Sequence, residues 1–560
     1  MNIALNTTKN GLLSFLVARI NKHSHRFPSA LLALLAATSM GVIHAQNSID
    51  LRATSRSAAE VPWLPDVIAA AEPYLFDPSF NDGRFVLDHF QGPAAADEVG
   101  VFTARMSNGD AVVAGLVPSF GTVNACNYGQ YLCRLGLVRY NAQGVRVPWS
   151  NPGIYGFHGD EYIIYPATNV FATYHFIRDL KIASNDRISV MVDTGLGSGG
   201  SNDVAILSFN SDGSPIQIKN VFGEGGSADT SDFYGAQIAL ISSGYMVVTA
   251  TGYDPQGGAY VAANRLLIQA DGTLFQDQSW GSEYAGAVNR LIKYRAPGGY
   301  CGQSSCEVTA NYATAPVGMA EGNIYIGGNV HIAGNNWDPI VLKINSTSGV
   351  LKAEFNGTGW SRVIFDEPNS SLTDFIAGLY VYQNDVYLAA QVDRNCFQGV
   401  GMAKINGATG QYVAAFGSGG KIVFGGEGND LFCNTSGDQK TVPYAISATG
   451  GRIGVVGYQG FKMIFGNSYE VDPMMAVVNA VNGSVLSFHR YPVTRTDGSR
   501  AGDAVLAGIY GGPLATSPFT VSGYGRDTSV GNTLSYVSGR FIPVSADRIF
   551  ASGFGSGSDL

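Results

Sequence analysis

Phe102–Gly115 reads FTARMSNGDAVVAG, and Leu135–Gly144 follows as LGLVRYNAQG. An apolar run enters the tight turn Asn108-Gly109, an apolar run leaves it, and a second pair flanks a polar turn ending in glycine. The same phrase returns at Ile177–Gly195 (IRDLKIASNDRISVMVDTG) with Asp203–Gly213 (DVAILSFNSDG). Asn-Gly and Asn-Asp suit the positive-φ positions of two-residue hairpin turns. A unit of two hairpins cannot bury both of its faces alone, so it has to stack on copies of itself.

Working outward, first turns fall at Asn108-Gly109, Asn185-Asp186, Ser243-Gly244, Glu321-Gly322, Asn384-Asp385, Gly450-Gly451 and Gly512-Pro513. Second turns fall at Asn141–Gly144, Asn210–Gly213, Gln269–Gly272, Asn345–Gly349, Asn406–Gly410 and Asn479–Gly483, with a seventh placed within Thr528–Asn532. A third element recurs between units as Phe-Gly with further glycine: FGEGG at Phe222–Gly226, FNGTG at Phe355–Gly359, FGSGGKIVF at Phe416–Phe424, and Trp280-Gly281 as a degenerate copy. FDPSFNDG at Phe76–Gly83 takes that role before the first unit.

These phrases resemble the delta-60 repeat family of bacterial exported proteins, whose pattern is a Leu-Asp-x-x-Phe-Gly turn, a DGKIVVAG-like strand and an ARLNxDG-like strand. The resemblance runs from Phe76 to Gly555. It implies a propeller-type repeat and brings no catalytic residues with it. The long stretches Asn151–His175 and Tyr284–Thr314 depart from the pattern. Short antiparallel strands, four to a unit, with no helical period, make the expected fold all-β: a seven-bladed β-propeller of four-stranded antiparallel blades. An elongated solenoid or two smaller propellers compete with it. One closed ring is preferred because it leaves no open edge. Arg84–His89 (RFVLDH) is the available closing strand, with partners around Leu534–Phe550.

The expected division is a signal peptide at 1–45, a lead-in segment at 46–75 with a short helix around Asp66–Glu72, and the propeller at 76–560. Lys22 and Arg26 precede the apolar run Ala30–Met40, and Ala45 offers a small residue for cleavage. A short membrane anchor is the alternative, but the run is short for a bilayer core of about 30 Å. The mature protein is then expected to be secreted or periplasmic, with no transmembrane segment. Cleavage removes four of the 34 basic side chains and none of the 43 acids, taking the net charge from −9 to −13. That balance argues against nucleic acid and anionic lipid as partners.

Six cysteines in an exported chain suggest disulfides. Nearest-neighbour pairing gives Cys126–Cys133, Cys301–Cys306 and Cys396–Cys433, one of fifteen possible connectivities. A zinc site is the poorer reading, since no Cys-x-x-Cys or nearby histidine completes a tetrahedral set.

Candidate chemistry is sparse. The densest polar group is His158, Asp160 and Glu161, within an aromatic stretch holding Tyr155. It reads either as part of a ligand site or as a loop packed by its own tyrosines. Exposed aromatics at Trp149, Tyr155 or Trp337 would mark a sugar-stacking surface. Gly425–Asp430 fits the start of a Ca²⁺-binding nonapeptide, making Glu427 and Asp430 weak candidate ligands, but that motif works in tandem copies. No HExxH or GxSxG is present. The expected function is therefore a binding or scaffold protein that recognises an extracellular carbohydrate or protein through its rim loops, with no catalytic motif. The alternative is a propeller enzyme on extracellular carbohydrate: a quinone-dependent dehydrogenase, or a polysaccharide lyase or hydrolase.

Overall fold

Many of the described strands enter or leave a tight turn whose chemistry is legible. In the second turns an asparagine side chain accepts the N–H two residues on: Asn141 from Gln143 (2.9 Å), Asn345 from Thr347 (2.8 Å), Asn406 from Ala408 (3.0 Å) and Asn479 from Val481 (2.8 Å). The first turns pair strands with the expected positive φ, as at Gly450 (51°) and Gly451 (81°). One, read at Asn384-Asp385, falls a residue earlier than that. Gln383 (50°) and Asn384 (68°) are the turn, and Asp385 already belongs to the next strand.

The computed structural model describes residues 63–64, 74–88, 99–118, 133–150, 162–165, 173–195, 202–222, 233–241, 244–254, 258–280, 291–301, 305–315, 322–333, 336–365, 373–394, 397–425, 439–462, 469–494, 498–512, 517–527 and 533–543. All belong to the compact unit Ser57–Leu560. The expected signal peptide, the short helix, and the residues Cys126, Tyr155, His158, Asp160, Glu161, Cys396, Glu427, Asp430 and Cys433 lie outside the described residues. Among the described residues no helix is long and apolar enough to cross a membrane.

The chain is all-β, a propeller of mainly antiparallel sheets. The first unit is Val99–Arg105, Ala111–Pro118, Cys133–Tyr140 and Tyr162–Tyr165. The second is Thr173–Ile182, Ile188–Gly195, Asn202–Phe209 and Pro215–Asn220. The third is Phe233–Ile241, Tyr245–Asp254 and Gly258–Ile268, with its outer strand in two pieces, Leu274–Gln276 and Ile292–Tyr294. The fourth is Tyr312–Thr314, Asn323–Ala333, Asn336–Asn345 and Trp360–Arg362. The fifth is Asp374–Tyr382, Asp385–Arg394, Phe397–Asn406 and Lys421–Phe424, with Trp63–Leu64 added in parallel on its outer edge. The sixth is Gln439–Thr449, Arg452–Lys462, Tyr469–Asn479 and Val485–Arg490. Last come Ala504–Gly511, Phe519–Asp527 and Thr533–Pro543.

Counted as separate hydrogen-bonded sheets, five carry four or more strands, against the expected seven. Two of the five are double. A single register pair, Cys133 with Tyr174, fuses the first two units, and Gln398 with Lys440 fuses the fifth and sixth. The first strands of the units pack in order: Val99–Arg105 on Thr173–Ile182, then Phe233–Ile241, Tyr312–Thr314, Asp374–Tyr382, Gln439–Thr449 and Ala504–Gly511, which packs back on Val99–Arg105. The core lies between neighbouring sheets. One cluster, for example, joins Val112, Leu137 and Trp149 of the first unit to Val190 and Leu207 of the second. Packing on both faces explains why strands such as Ala111–Val117 read as continuous apolar runs rather than alternating ones.

Two devices hold neighbours together. First, the inner strands carry a bulge at matching places, as between Gly235 and Ile238 and between Ile376 and Gly378. The bulge leaves backbone N–H groups unpaired within the sheet, and the previous unit satisfies them. Asp193 accepts from Gly235 (2.7 Å), Asp179 from Ile238 (2.8 Å) and Asn329 from Ile376 (2.9 Å). Second, the Phe-Gly element is a clamp. Phe80, Phe355 and Phe416 are buried, and the next residue has positive φ: Asn81 (46°), Asn356 (53°) and Gly417 (58°). That twist aims its N–H at the second turn of the following unit. Asn81 donates to Gln143 O (2.9 Å), Asn356 to Thr409 O (2.7 Å) and Gly417 to Asn482 O (2.9 Å). Each buried phenylalanine contributes about 1.5–3 kcal/mol. Trp280 does the same job with its indole N–H, which donates to Ser346 O at 3.1 Å.

The last unit departs from the repeat. The second turn expected within Thr528–Asn532 lies outside the described residues, between the paired strands Phe519–Asp527 and Thr533–Pro543. The chain's beginning supplies the outer strands: Tyr74–Phe76 and Val86–Asp88 both pair with Thr533–Pro543. The closing strand read at Arg84–His89 is therefore present, with a second one before it. Tyr491 Oη donates to Tyr74 O (2.8 Å) and ties this junction to the sixth unit.

Candidate functional site

Because strands alternate in direction, the connections from first to second strand and from third to fourth strand lie at one end of a unit. Those from second to third strand and from unit to unit lie at the other. Residues 119–132, 223–232, 366–372 and 426–438 all join strands at this second, loop end. Rigid strands carrying long connections to one end are the usual scaffold of a recognition surface.

Among these connections, the one from the third unit to the fourth is largely described, and the sequence had set it apart as a departure from the repeat. It is not an insertion in the simple sense. Ile292–Tyr294 completes the edge of the third unit, and Tyr312–Thr314 begins the fourth. Between them Ala296–Pro297 pairs with Ser305–Cys306, and the Cys301–Cys306 disulfide closes the hairpin. Closing so short a loop constrains the unfolded chain by about 2 kcal/mol. The expected Cys301–Cys306 pairing is thus formed.

This hairpin delivers a strip of polar and aromatic side chains. Lys293 Nζ lies 4.6 Å from the centre of the Tyr260 ring, and the Arg295 guanidinium lies 5.5 Å from it. Tyr260 is itself buried against Gly252 of the adjacent strand, where any side chain would overlap the ring. Arg295 and Glu307 stand one step beyond the paired Ala296 and Cys306, so the register sets them across from each other. Glu307 is anchored through its backbone: its carbonyl accepts the His331 N–H (3.0 Å), while the next residue, Val308, donates to Ala259 O (3.2 Å). Its carboxylate fills the space beside Gly258, whose φ of +71° already excludes most side chains. It lies 3.9 Å from His331 Nδ1. His331 in turn faces its cross-strand partner Trp337, with ring centres 4.8 Å apart and planes 33° apart. The side chains of His331 and Glu307 remain 29% and 48% exposed, so the strip is open to solvent.

A half-buried indole beside an imidazole offers a flat apolar platform of the kind sugars stack on. The neighbouring carboxylate accepts hydrogen bonds from hydroxyls, and the two cations offer donors. His331 Nδ1 and the Glu307 carboxylate, 3.9 Å apart, are neighbours within this strip.

Of the two sequence candidates for ligand binding among the described residues, Trp337 is found here. Trp149 is buried in the core between the first two units, with the Arg139 guanidinium 5.1 Å over its ring, so it presents no face to a ligand. Tyr155, His158, Asp160 and Glu161 lie outside the described residues. Among the described residues, no group of three or more His, Cys, Asp or Glu side chains could hold a metal ion. Sequence reasoning missed Tyr260, Lys293, Arg295, Glu307 and His331. The one signal pointing to them was the close pair Cys301 and Cys306, which marks a pinned loop.

No known protein family matches the chain, and no curated protein does. Solved structures do. The crystal structure of polysaccharide lyase Uly1 is similar at 11% identity and a TM-score of 0.42, over 80% of this chain and 90% of that one. A PL25 ulvan lyase bound to -[GlcA(1-4)Rha3S]- is similar at 12% identity and a TM-score of 0.41, over 84% and 99%. A subtype N11 neuraminidase-like protein of A/flat-faced bat/Peru/033/2010 (H18N11) follows at 10% identity and a TM-score of 0.34, over 85% and 97%.

Proposed function

We propose that this is an exported seven-bladed propeller of the delta-60 repeat kind that acts on extracellular carbohydrate at its loop end. Each of the four-stranded units described above is one blade, and the fused sheets are neighbouring blades that touch at one residue pair. The ring gathers the connections, and the pinned connection between the third and fourth blades carries the site. The observation that supports this reading is the Trp337–His331 platform beside the Glu307 carboxylate, open to solvent and held on rigid strands.

Trp337→Ala should weaken binding to whichever polysaccharide an array of glycans identifies by about tenfold or more, since one aromatic stacking contact is worth about 1–3 kcal/mol. Melting temperature should stay close to that of the parent, because Trp337 belongs to none of the core clusters. Equal affinity in the variant, or a parent that retains no glycan, would remove the reading.

A binding module without chemistry and an enzyme share this platform. The His331–Glu307 proximity favours the enzyme, with His331 as the proton-transferring group. Incubation with the bound polysaccharide should release new reducing ends, and ultraviolet absorbance of an unsaturated product separates elimination from hydrolysis. His331→Ala should abolish the release even at polysaccharide concentrations that saturate the variant. Binding with no cleavage by the parent would leave a carbohydrate-binding scaffold.

A further inference from the structure

The hairpin Ala296–Cys306 has very little backbone pairing of its own. Its ladder is Ala296 with Cys306 and Pro297 with Ser305, and so short a ribbon is not stable in water alone. It lies over the face of the fourth unit that looks toward the third. Ala296, Tyr300, Cys301 and Cys306 pack there with Val330 and Ile340, and Tyr300 Oη donates to Trp360 O at 3.3 Å. On the same face stands an ion pair with an incomplete set of partners. Asp338 is the cross-strand partner of Val330 and two positions from Ile340, so strand alternation puts its side chain among theirs. It is 1% exposed. Arg362 donates to its Oδ2, while Oδ1 accepts no hydrogen bond. Burial outweighs the Arg362 guanidinium and holds the Asp338 carboxyl above the ordinary aspartate range. An under-satisfied buried carboxylate favours contact with water, and the hairpin packed on that face keeps water out. The Cys301–Cys306 bond holds the hairpin shut against that tendency.

From this we infer that the disulfide is a redox-sensitive latch on the site. A dithiol that breaks it frees the hairpin to lift from the fourth unit, and Glu307, the residue after Cys306, leaves His331. Cys301 is half-buried and Cys306 fully buried, so exchange starts at Cys301 Sγ. One thiolate of the dithiol forms a mixed disulfide there, and Cys306 departs as a thiolate. The second thiol then closes the reductant's own disulfide and releases Cys301. Two electrons pass from the dithiol to the cysteines, and each cysteine takes up one of the two protons the dithiol gives up. The loss of the site rests on the carbohydrate reading above, whereas the latch itself does not.

The test is hydrogen exchange of the full-length mature protein, read by mass spectrometry with and without a dithiol, beside binding to the polysaccharide that the glycan array identifies. Reduction should speed exchange of the Val308 and His331 amides, which donate to Ala259 O and Glu307 O, by about tenfold or more. The strand Asp385–Arg394 of the fifth unit should stay protected, and affinity for the polysaccharide should fall by a similar factor. A Cys301→Ser, Cys306→Ser double variant should match the reduced parent with no dithiol present, which separates this bond from any other the dithiol reaches. Asp338→Leu with Arg362→Met removes the charge pair and should keep the hairpin closed after reduction. Unchanged exchange at Val308 and His331, once thiol labelling shows both cysteines free, overturns the inference. So does loss of protection throughout the ring, which would make the bond a staple of the whole fold. Opening as ready in the Asp338→Leu, Arg362→Met variant as in the parent, or undiminished polysaccharide affinity after opening, overturns it too. A parent that retains no glycan while its hairpin opens on reduction removes the carbohydrate reading and upholds the latch.

Discussion

Gly457→Val should abolish accumulation of folded protein, or lower its stability by about 4 kcal/mol or more, a loss only a few mechanisms can produce. The reason lies in the bulge of the neighbouring inner strand. Gly457 stands opposite Pro443–Ala445, where the register slips, and the Val442 carbonyl turns toward it. A Cβ on Gly457 would overlap that oxygen, a backbone atom that has nowhere to go. Gly328 meets Thr309 O and Gly523 meets Val505 O in the same way. Three units therefore use glycine at one structural position, and the final glycine of the DGKIVVAG-like phrase has a physical meaning. Gly451→Ala is the contrast. It keeps a strained φ but meets nothing, so it should cost about 1 kcal/mol. Soluble yield and thermal melting of the two variants read the difference directly. Comparable yields and melting would mean that the bulge does not close on Gly457.

Phe541→Ala should cost about 3–5 kcal/mol, the range for emptying a buried aromatic site. Phe541 is fully buried where the two chain ends meet, 4.6 Å from Phe76 and 4.7 Å from Tyr491 between ring centres. Its loss should loosen the N-terminal strands and expose the edge of Thr533–Pro543, so aggregation should accompany the fall in melting temperature. Phe275→Ala, on the outer strand of the third unit and 54% exposed, should do neither. Asp77 adds a pH signature at the same junction. Burial opposes its charge, but the Ser79 N–H and hydroxyl and the Arg540 guanidinium outweigh that and hold its carboxyl below the ordinary aspartate value. A carboxylate held down in the folded state stabilises above its unfolded pKa and ceases to as pH falls through the folded one. Asp77→Asn should therefore destabilise at neutral pH, and its deficit should shrink below about pH 4. Guanidinium unfolding midpoints of the parent and the variant at the two pH values measure this.

Much of the fold was legible because turns and clamps are local chemistry. Asparagine caps, positive-φ pairs and the Phe-Gly clamp leave marks within a few residues, and they place most strands correctly. The register contacts that fuse neighbouring sheets leave no such mark, since they depend on how closely the third strand of one unit approaches the first strand of the next. The last unit was legible only in part for a related reason. Its fourth strand comes from hundreds of residues away, so no turn after its third strand could announce it.

The site was far less legible. His331 and Trp337 are six residues apart across a hairpin, Tyr260 comes from a strand of the third unit, and Glu307 from the connection that follows it. Nothing in a linear reading brings them together. Trp149 shows the converse error: an aromatic beside a polar stretch looks like a binding residue until its ring is found between two sheets.

A pair of cysteines at Leu75 and Ile542 puts the closed ring to its most direct test. These positions face each other across the strands from the two chain ends, at a separation a disulfide can span. If the ring closes as described, oxidation should join them within one molecule, giving an intact mass two hydrogens lighter, faster migration without reductant and a higher melting temperature. If the two thiols stay free in the folded protein, or pair only between molecules, the chain ends do not meet, and both the ring and the loop-end site built on it are wrong.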